Sequence, residues 1–160
     1  LVEQHPAWAQ EAVNPISQLI IRTDYSHQRA PMLQTLATIV DADRTTLIQA
    51  LKVANEGLAN KKDQICLNSL QLLIYLAQKE PAHYDAIFQL ATDLATDKNW
   101  EIRNRALDLV YTLAEVHPSC SKQAFDIAVE AFQDRKFKIR LRALSICDML
   151  IKTYKQQYIL

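Results

Sequence analysis

Glycine is almost missing from this sequence, with one residue in 160. Tight β-hairpin turns depend on glycine at positive φ, so its scarcity excludes a hairpin-rich β fold and favours helices joined by short turns. Charge of one sign is missing too, because 18 basic residues balance 18 acidic ones. No global field therefore holds the molecule on nucleic acid or an anionic membrane, and any electrostatic binding must be local. Cys66, Cys120 and Cys147 are odd in number and form no Cys-x-x-Cys pair. That pattern suits reduced thiols in an intracellular, cytoplasmic protein better than a disulfide framework or structural zinc. The longest apolar runs are pieces such as Leu19-Ile20-Ile21 and Leu72-Leu73-Ile74, far short of the roughly 18 residues of a membrane span. No basic-then-apolar signal segment opens the chain. Leu1 stands at the start in place of methionine, so the sequence reads as cut from something longer.

What the chain does have is a 49% apolar content, enough to fill the core of a single domain over residues 1–160, and a clear internal repeat. The segment Asp97-Lys98-Asn99-Trp100-Glu101-Ile102-Arg103-Asn104-Arg105-Ala106-Leu107 returns 37 residues later (97 to 134) as Asp134-Arg135-Lys136-Phe137-Lys138-Ile139-Arg140-Leu141-Arg142-Ala143-Leu144. The same interval backward aligns Asn60, Ile65, Leu70, Leu76 and Pro81 with Asp97, Ile102, Leu107, Leu113 and Pro118, and one further step reaches Thr23, Arg29, Leu33 and Ile39. Self-similarity at a period of a few tens of residues is the signature of stacked helical hairpins. The repeats span roughly 8–40, 45–79, 83–116 and 121–156.

Within each repeat the spacing predicts two helices. First helices are expected at 8–21, 45–58, 83–95 and 121–132, and second helices at 24–40, 61–79, 98–116 and 135–156. Thr23, Asn60, Asp97 and Asp134 form a column of helix-capping side chains directly before the second helices. Two apolar columns, Leu36/Leu73/Val110/Cys147 and Ile39/Leu76/Leu113/Leu150, lie three residues apart and make an inward stripe. Ser17, Ala54, Ala91 and Ala128 form a small-residue column that lets the first helices pack closely. Pro81 and Pro118 mark repeat boundaries, whereas Pro15 and Pro31 fall inside helices of the first repeat and predict kinks or late starts there. An irregular first repeat suits an N-terminal cap.

The pairing of Asp97 with Ile102-Arg103, repeated as Asp134 with Ile139-Arg140, resembles the HEAT-repeat (armadillo-like) signature. The resemblance covers nearly the whole chain, strongly in the last two repeats and weakly in the first. It implies an all-α, right-handed α-solenoid of about four hairpins. It also implies a ladder in which a turn Asp and a second-helix Arg tie successive repeats together. Cys66 in the Arg column, with Asn60 and Thr23 in the Asp column, implies a ladder broken between the early repeats.

Catalysis needs converging groups, and none converge in the sequence. His5, His27, His83 and His117 sit at unrelated repeat offsets, without a His-Glu-x-x-His spacing. His83 and His117 read as solvated turn residues. Cys147 reads as core, and Cys120, near Pro118, as the one reachable thiol. The expectation is a non-enzymatic protein, with no cofactor and no metal.

Binding residues are the alternative. Lys61, Lys98 and Arg135 share one repeat offset after the cap, with Lys62 and Lys136 beside them. A cation in the first helical turn opposes the helix dipole by a few tenths of a kcal/mol, so helix stability does not explain the column. It reads either as a solvated edge inherited by duplication or as a ridge for acidic groups. Trp100 and Phe137 lie on the same ridge, either covering the turn or forming a recognition edge with the cations. From Asp134 to Leu160 seven basic residues face two acidic ones.

The outward face of the second helices is the other candidate. It comprises Leu67/Asn104/Leu141, Asn68/Arg105/Arg142, Gln71/Asp108/Ser145 and Tyr75/Thr112/Met149, several hundred Å² against the roughly 800 Å² each partner gives a standard interface. The leading expectation is a protein-interaction scaffold that docks a helix, a peptide or an acidic surface. The Asp-Lys-Asn-Trp-Glu-Ile-Arg string also resembles tubulin-binding TOG domains, whose turn-edge aromatic and basic residues meet tubulin. Nucleic acid is the expected partner only by the resemblance to HEAT-like alkylation-repair DNA glycosylases, which zero net charge disfavours. A HEAT-type lyase has less support still.

Overall fold

The computed structural model describes residues 6–24, 26–60, 62–78 and 84–158. Among them it contains eight α-helices and no strand: α1 (Pro6–Arg22), α2 (Ser26–Ala42), α3 (Thr45–Leu58), α4 (Asp63–Ala77), α5 (Tyr84–Leu94), α6 (Trp100–Val116), α7 (Ser121–Ala131) and α8 (Phe137–Tyr158). A 3₁₀ turn, Pro118–Cys120, leads into α7. None of these helices is long and apolar enough to cross a membrane. Pro81 lies outside the described residues.

The second helices all start about two residues later than the capping column predicts, and before α4, α6 and α8 one local device explains it. Asn60 Oδ1 accepts the Lys62 N–H at 3.0 Å, Asp97 Oδ1 the Asn99 N–H at 2.7 Å, and Asp134 Oδ1 the Lys136 N–H at 2.7 Å. These are Asx turns, in which a short polar side chain folds the backbone back before the helix begins. At α6 the helix cap itself falls two positions on: Asn99, with extended backbone, accepts the Glu101 N–H at 2.9 Å. Lys98 and Arg135 consequently lie in the turn, not in the first helical turn, and the dipole cost expected of them does not arise.

Pro15 and Pro31 do not interrupt their helices, since α1 and α2 run through both. A helical proline forfeits one backbone bond and crowds the preceding turn. In α2 the ring sits close to the start, where few backbone bonds precede it. The Pro31 carbonyl is used by Thr35 Oγ1, 3.0 Å away.

The helices gather into two compact units, Leu1–Leu76 and Ala77–Leu160. In the first, α1 packs on α2 and α3, and Ser17 and Ala54 of the small-residue column are fully buried. Gly57, the chain's sole glycine, lies where α3 meets α4: a Cβ there would overlap Ser69 Oγ and come within 3.1 Å of Ile21 Cδ1. Asn68, placed by its register on the outward face, is instead fully buried. Its Nδ2 donates to the Ile21 carbonyl at 3.0 Å and the Thr23 carbonyl at 2.9 Å, and its Oδ1 accepts from Gln64 Nε2 at 2.8 Å. α4 thereby satisfies carbonyls that the end of α1 leaves without helical partners. Asn68→Ala is expected to strand both, at about 2 kcal/mol, read as a lower denaturant midpoint with an unchanged m-value.

In the second unit α5 packs on α6, α7 on α8, and α6 on α8. Ala91 and Ala128 are fully buried, as are Val110 and Leu113 of the inward stripe. The stripe opens at its last member: Cys147 and Leu150 are only half-buried on α8. Cys147 is thus less of a core residue than its column suggests, and Cys120 is buried rather than reachable. Burial pushes both thiols above their ordinary pKa, which disfavours the thiolate. His117 is half-buried against the Tyr84 ring, 4.6 Å between centroids, not freely solvated. The outward face is further reduced because Thr112 and Met149 are buried.

Candidate functional site: the turn edge of the second unit

Two successive turns, 95–99 and 132–136, are held by one arginine. Arg103 lies four residues into α6 and its planar fork reaches both. Nη1 donates to the Asp97 carbonyl at 2.8 Å and the Lys98 carbonyl at 3.1 Å. Nε and Nη2 hold the Asp134 carboxylate at 2.7 and 3.1 Å. Two parallel charge-assisted bonds of this kind fix orientation as well as distance. They hold the Asp134 carboxyl below the usual carboxylate range. Arg140 repeats the inner half of the device, its Nη1 donating to the Asp134 carbonyl at 2.7 Å. At the corresponding place in the first unit, Cys66 supplies no guanidinium.

With the Asp134 carboxylate held in this way, most of what is exposed at the edge is cationic and aromatic, Glu101 being the acidic exception. Lys98, Arg135, Lys136, Phe137 and Lys138 are all exposed, and Trp100 is half-buried among them. Lys136 Nζ and Lys138 Nζ lie 5.9 and 5.2 Å from the centroid of the Trp100 ring, so cations of one turn stand over the aromatic of the other. Arg140 lies over the Phe137 ring at 5.7 Å. A groove of about 480 Å³ runs beside the edge, lined by Lys98, Arg103, Ile127, Gln133, Asp134 and Ile139 among others. A row of cations with one aromatic face beneath and another projecting can bind carboxylates and cover apolar side chains next to them.

The structure brings Lys98, Trp100, Arg135, Lys136 and Phe137 together at this edge and sets Arg105 and Arg142 apart from it. Arg105 is exposed and pairs with Asp108 at 3.1 Å. Arg142 is engaged internally: its Nε lies 2.7 Å from Asp108 Oδ1 and its guanidinium 4.6 Å from the Tyr111 ring centroid. The Nε–H does not point along that contact, so the pair is a charge contact and not a linear hydrogen bond. Lys61, His5 and His83 lie outside the described residues. Lys138 and Arg140 were missed as edge residues, although each lies within three residues of Phe137. No group of three or more histidine, cysteine or acidic side chains that could hold a metal occurs among the described residues.

No family model matches the chain, and no curated protein matches it. Solved structures do resemble it. Two are engineered proteins from the Northeast Structural Genomics Consortium. The first has 13% identity and a TM-score of 0.58, covering 87% of this chain and 62% of its own; the second has 14% and 0.56, covering 86% and 37%. The chain thus spans less than two thirds of either, and at such identities the likeness establishes an all-helical, repeat-like or bundle-like fold alone.

Proposed function

We propose that this chain is a non-enzymatic interaction scaffold of the HEAT-repeat kind, whose four hairpins stack as a right-handed solenoid and whose turn edge binds an acidic segment of a partner protein. The observation that carries the proposal is the packing of Lys136 and Lys138 over Trp100, with Phe137 exposed beside them. Helix formation does not require Lys98, Arg135 or Lys136, which lie ahead of α6 and α8. The Asp134 carboxylate is paired with Arg103, so it does not neutralise the exposed cations. The 37-residue repeat and the Arg103–Asp134 pair support the HEAT reading.

Calorimetric titration with a glutamate-rich helical peptide tests the binding. The wild type is expected to bind in low salt and about tenfold more weakly at several hundred millimolar salt. The triple variant Lys98→Glu/Arg135→Glu/Lys136→Glu should lose binding, and identical isotherms for the two proteins would refute the edge. Tubulin is the first folded partner to try, on the resemblance of Asp97 to Arg103 to the TOG string. Binding of duplex DNA with a steep salt dependence would favour the nucleic-acid reading instead.

A further inference from the structure

The turn edge of the second unit is periodic. Trp100 and Phe137 occupy equivalent positions in successive hairpins, and so do Lys98 and Arg135. Each ring carries cations over it: Lys136 and Lys138 lie 5.9 and 5.2 Å from the Trp100 centroid, and Arg140 lies 5.7 Å from that of Phe137. One guanidinium spans the two turns, since Arg103 reaches the Asp97 carbonyl at 2.8 Å and the Asp134 carboxylate at 2.7 Å. The helices that follow the turns, α6 and α8, pack on each other, and packed helices lie about 8–10 Å apart. A cation and an aromatic platform therefore recur at about that pitch.

A ligand that uses both turns at once must present acidic groups at the same pitch, because a second contact on one segment adds affinity only when its spacing matches the span. A polyproline II segment does this with every third residue. It has about three residues per turn and rises about 3.1 Å per residue, so equivalent side chains stand about 9.3 Å apart on one face. An α-helix returns to a face about every 5.4 Å, which leaves alternate acidic side chains opposite no cation. Exposed aromatic rings are also the surface on which polyproline II segments dock, and Phe137 is 63% exposed. Exposed Gln133 lines the groove beside the turns, where its amide can donate to the carbonyls that such a segment leaves without internal partners.

On the acid-binding role proposed for this edge, we infer that the partner segment is extended, in polyproline II form, with an acidic residue at every third position and proline or another apolar residue between. Two of its carboxylates meet Lys98 and Arg135, and the residues between them cover Trp100 and Phe137. Lys98 is the exposed cation of the turn 95–99, so the register depends on it.

Calorimetric titration in low salt with two synthetic peptides of one composition tests the pitch. The first repeats the triplet Glu-Pro-Pro. In the second, the intervals between glutamates alternate between two and four residues, which sets glutamates of one face about 19 Å apart. The triplet peptide is expected to bind about tenfold more tightly than its isomer, and more tightly than a helical glutamate peptide of equal charge. Lys98→Ala, at an exposed position ahead of α6, should bring the triplet peptide down to the affinity of the isomer with an unchanged circular dichroism spectrum. Equal affinity for the two isomers overturns the inference, because the edge would then read charge and not pitch. The acid-binding role would survive that result if Lys98→Glu/Arg135→Glu/Lys136→Glu lost both peptides. Tighter binding of the helical peptide, or a triplet peptide indifferent to Lys98→Ala, also overturns the inference. Absence of binding by all three peptides overturns the acid-binding role along with it.

Discussion

Arg103→Ala is expected to destabilise the protein by about 3 kcal/mol, or a fall of about 10 °C in Tm. The loss is large because the arginine makes four hydrogen bonds to two turns, and its removal leaves Asp134 partly buried without a partner. Asp134→Asn should cost less, because an amide oxygen can still accept the Lys136 N–H, and Asp134→Leu should cost more. The pH dependence follows from the lowered carboxyl of Asp134. A carboxylate with a folded-state pKa below its unfolded value stabilises the protein above the unfolded value, near 4, and that stability is lost as pH falls through the folded value. The advantage of the wild type over Asp134→Asn should therefore hold from neutral pH to about 4 and vanish below. Chemical denaturation of both proteins at a series of pH values measures it.

Gly57→Leu is expected to cost about 3 kcal/mol or more through overpacking. Even Gly57→Ala should destabilise, although alanine gains up to about 1 kcal/mol of helix propensity over glycine, because its Cβ meets Ser69 Oγ, which is buried and already donates to the Ile65 carbonyl at 2.8 Å. Ser69→Ala removes the overlapping oxygen and should restore much of the stability of Gly57→Ala. If Gly57→Ala proved more stable than wild type, the close approach of α3 and α4 would be refuted.

Much of this fold was legible because it repeats. A period of 37 residues placed the first helices to within about two residues, and the buried columns through Leu36, Ile39, Ala54, Leu73 and Leu113 followed from helical spacing. The register misled where one column holds residues of different chemistry. Asn68 shares an offset with Arg105 and Arg142, yet it is short and polar and turns inward to two carbonyls, while the arginines reach acidic partners. The caps were displaced because an aspartate can fold a turn as readily as it can cap a helix, and composition does not distinguish the two. Cys147 illustrates a third limit: a column gives the side that a residue faces, whereas exposure depends on what covers that side. At the candidate site Lys98, Trp100, Arg135, Lys136 and Phe137 were legible from register. The contribution of Lys138 was not, because its contact with Trp100 crosses from one turn to the next.

Trp100 offers the most direct test of the turn edge as a binding site. The chain has two tryptophans, Trp8 and Trp100, so a Trp8→Phe protein reports on Trp100 alone. Titration with the glutamate-rich helical peptide should give a saturable change in its emission. Added salt should weaken that change, and Lys98→Glu/Arg135→Glu/Lys136→Glu should abolish it. Emission that stays constant up to millimolar peptide, or that responds equally in the charge-reversed protein, would contradict a binding role for this edge.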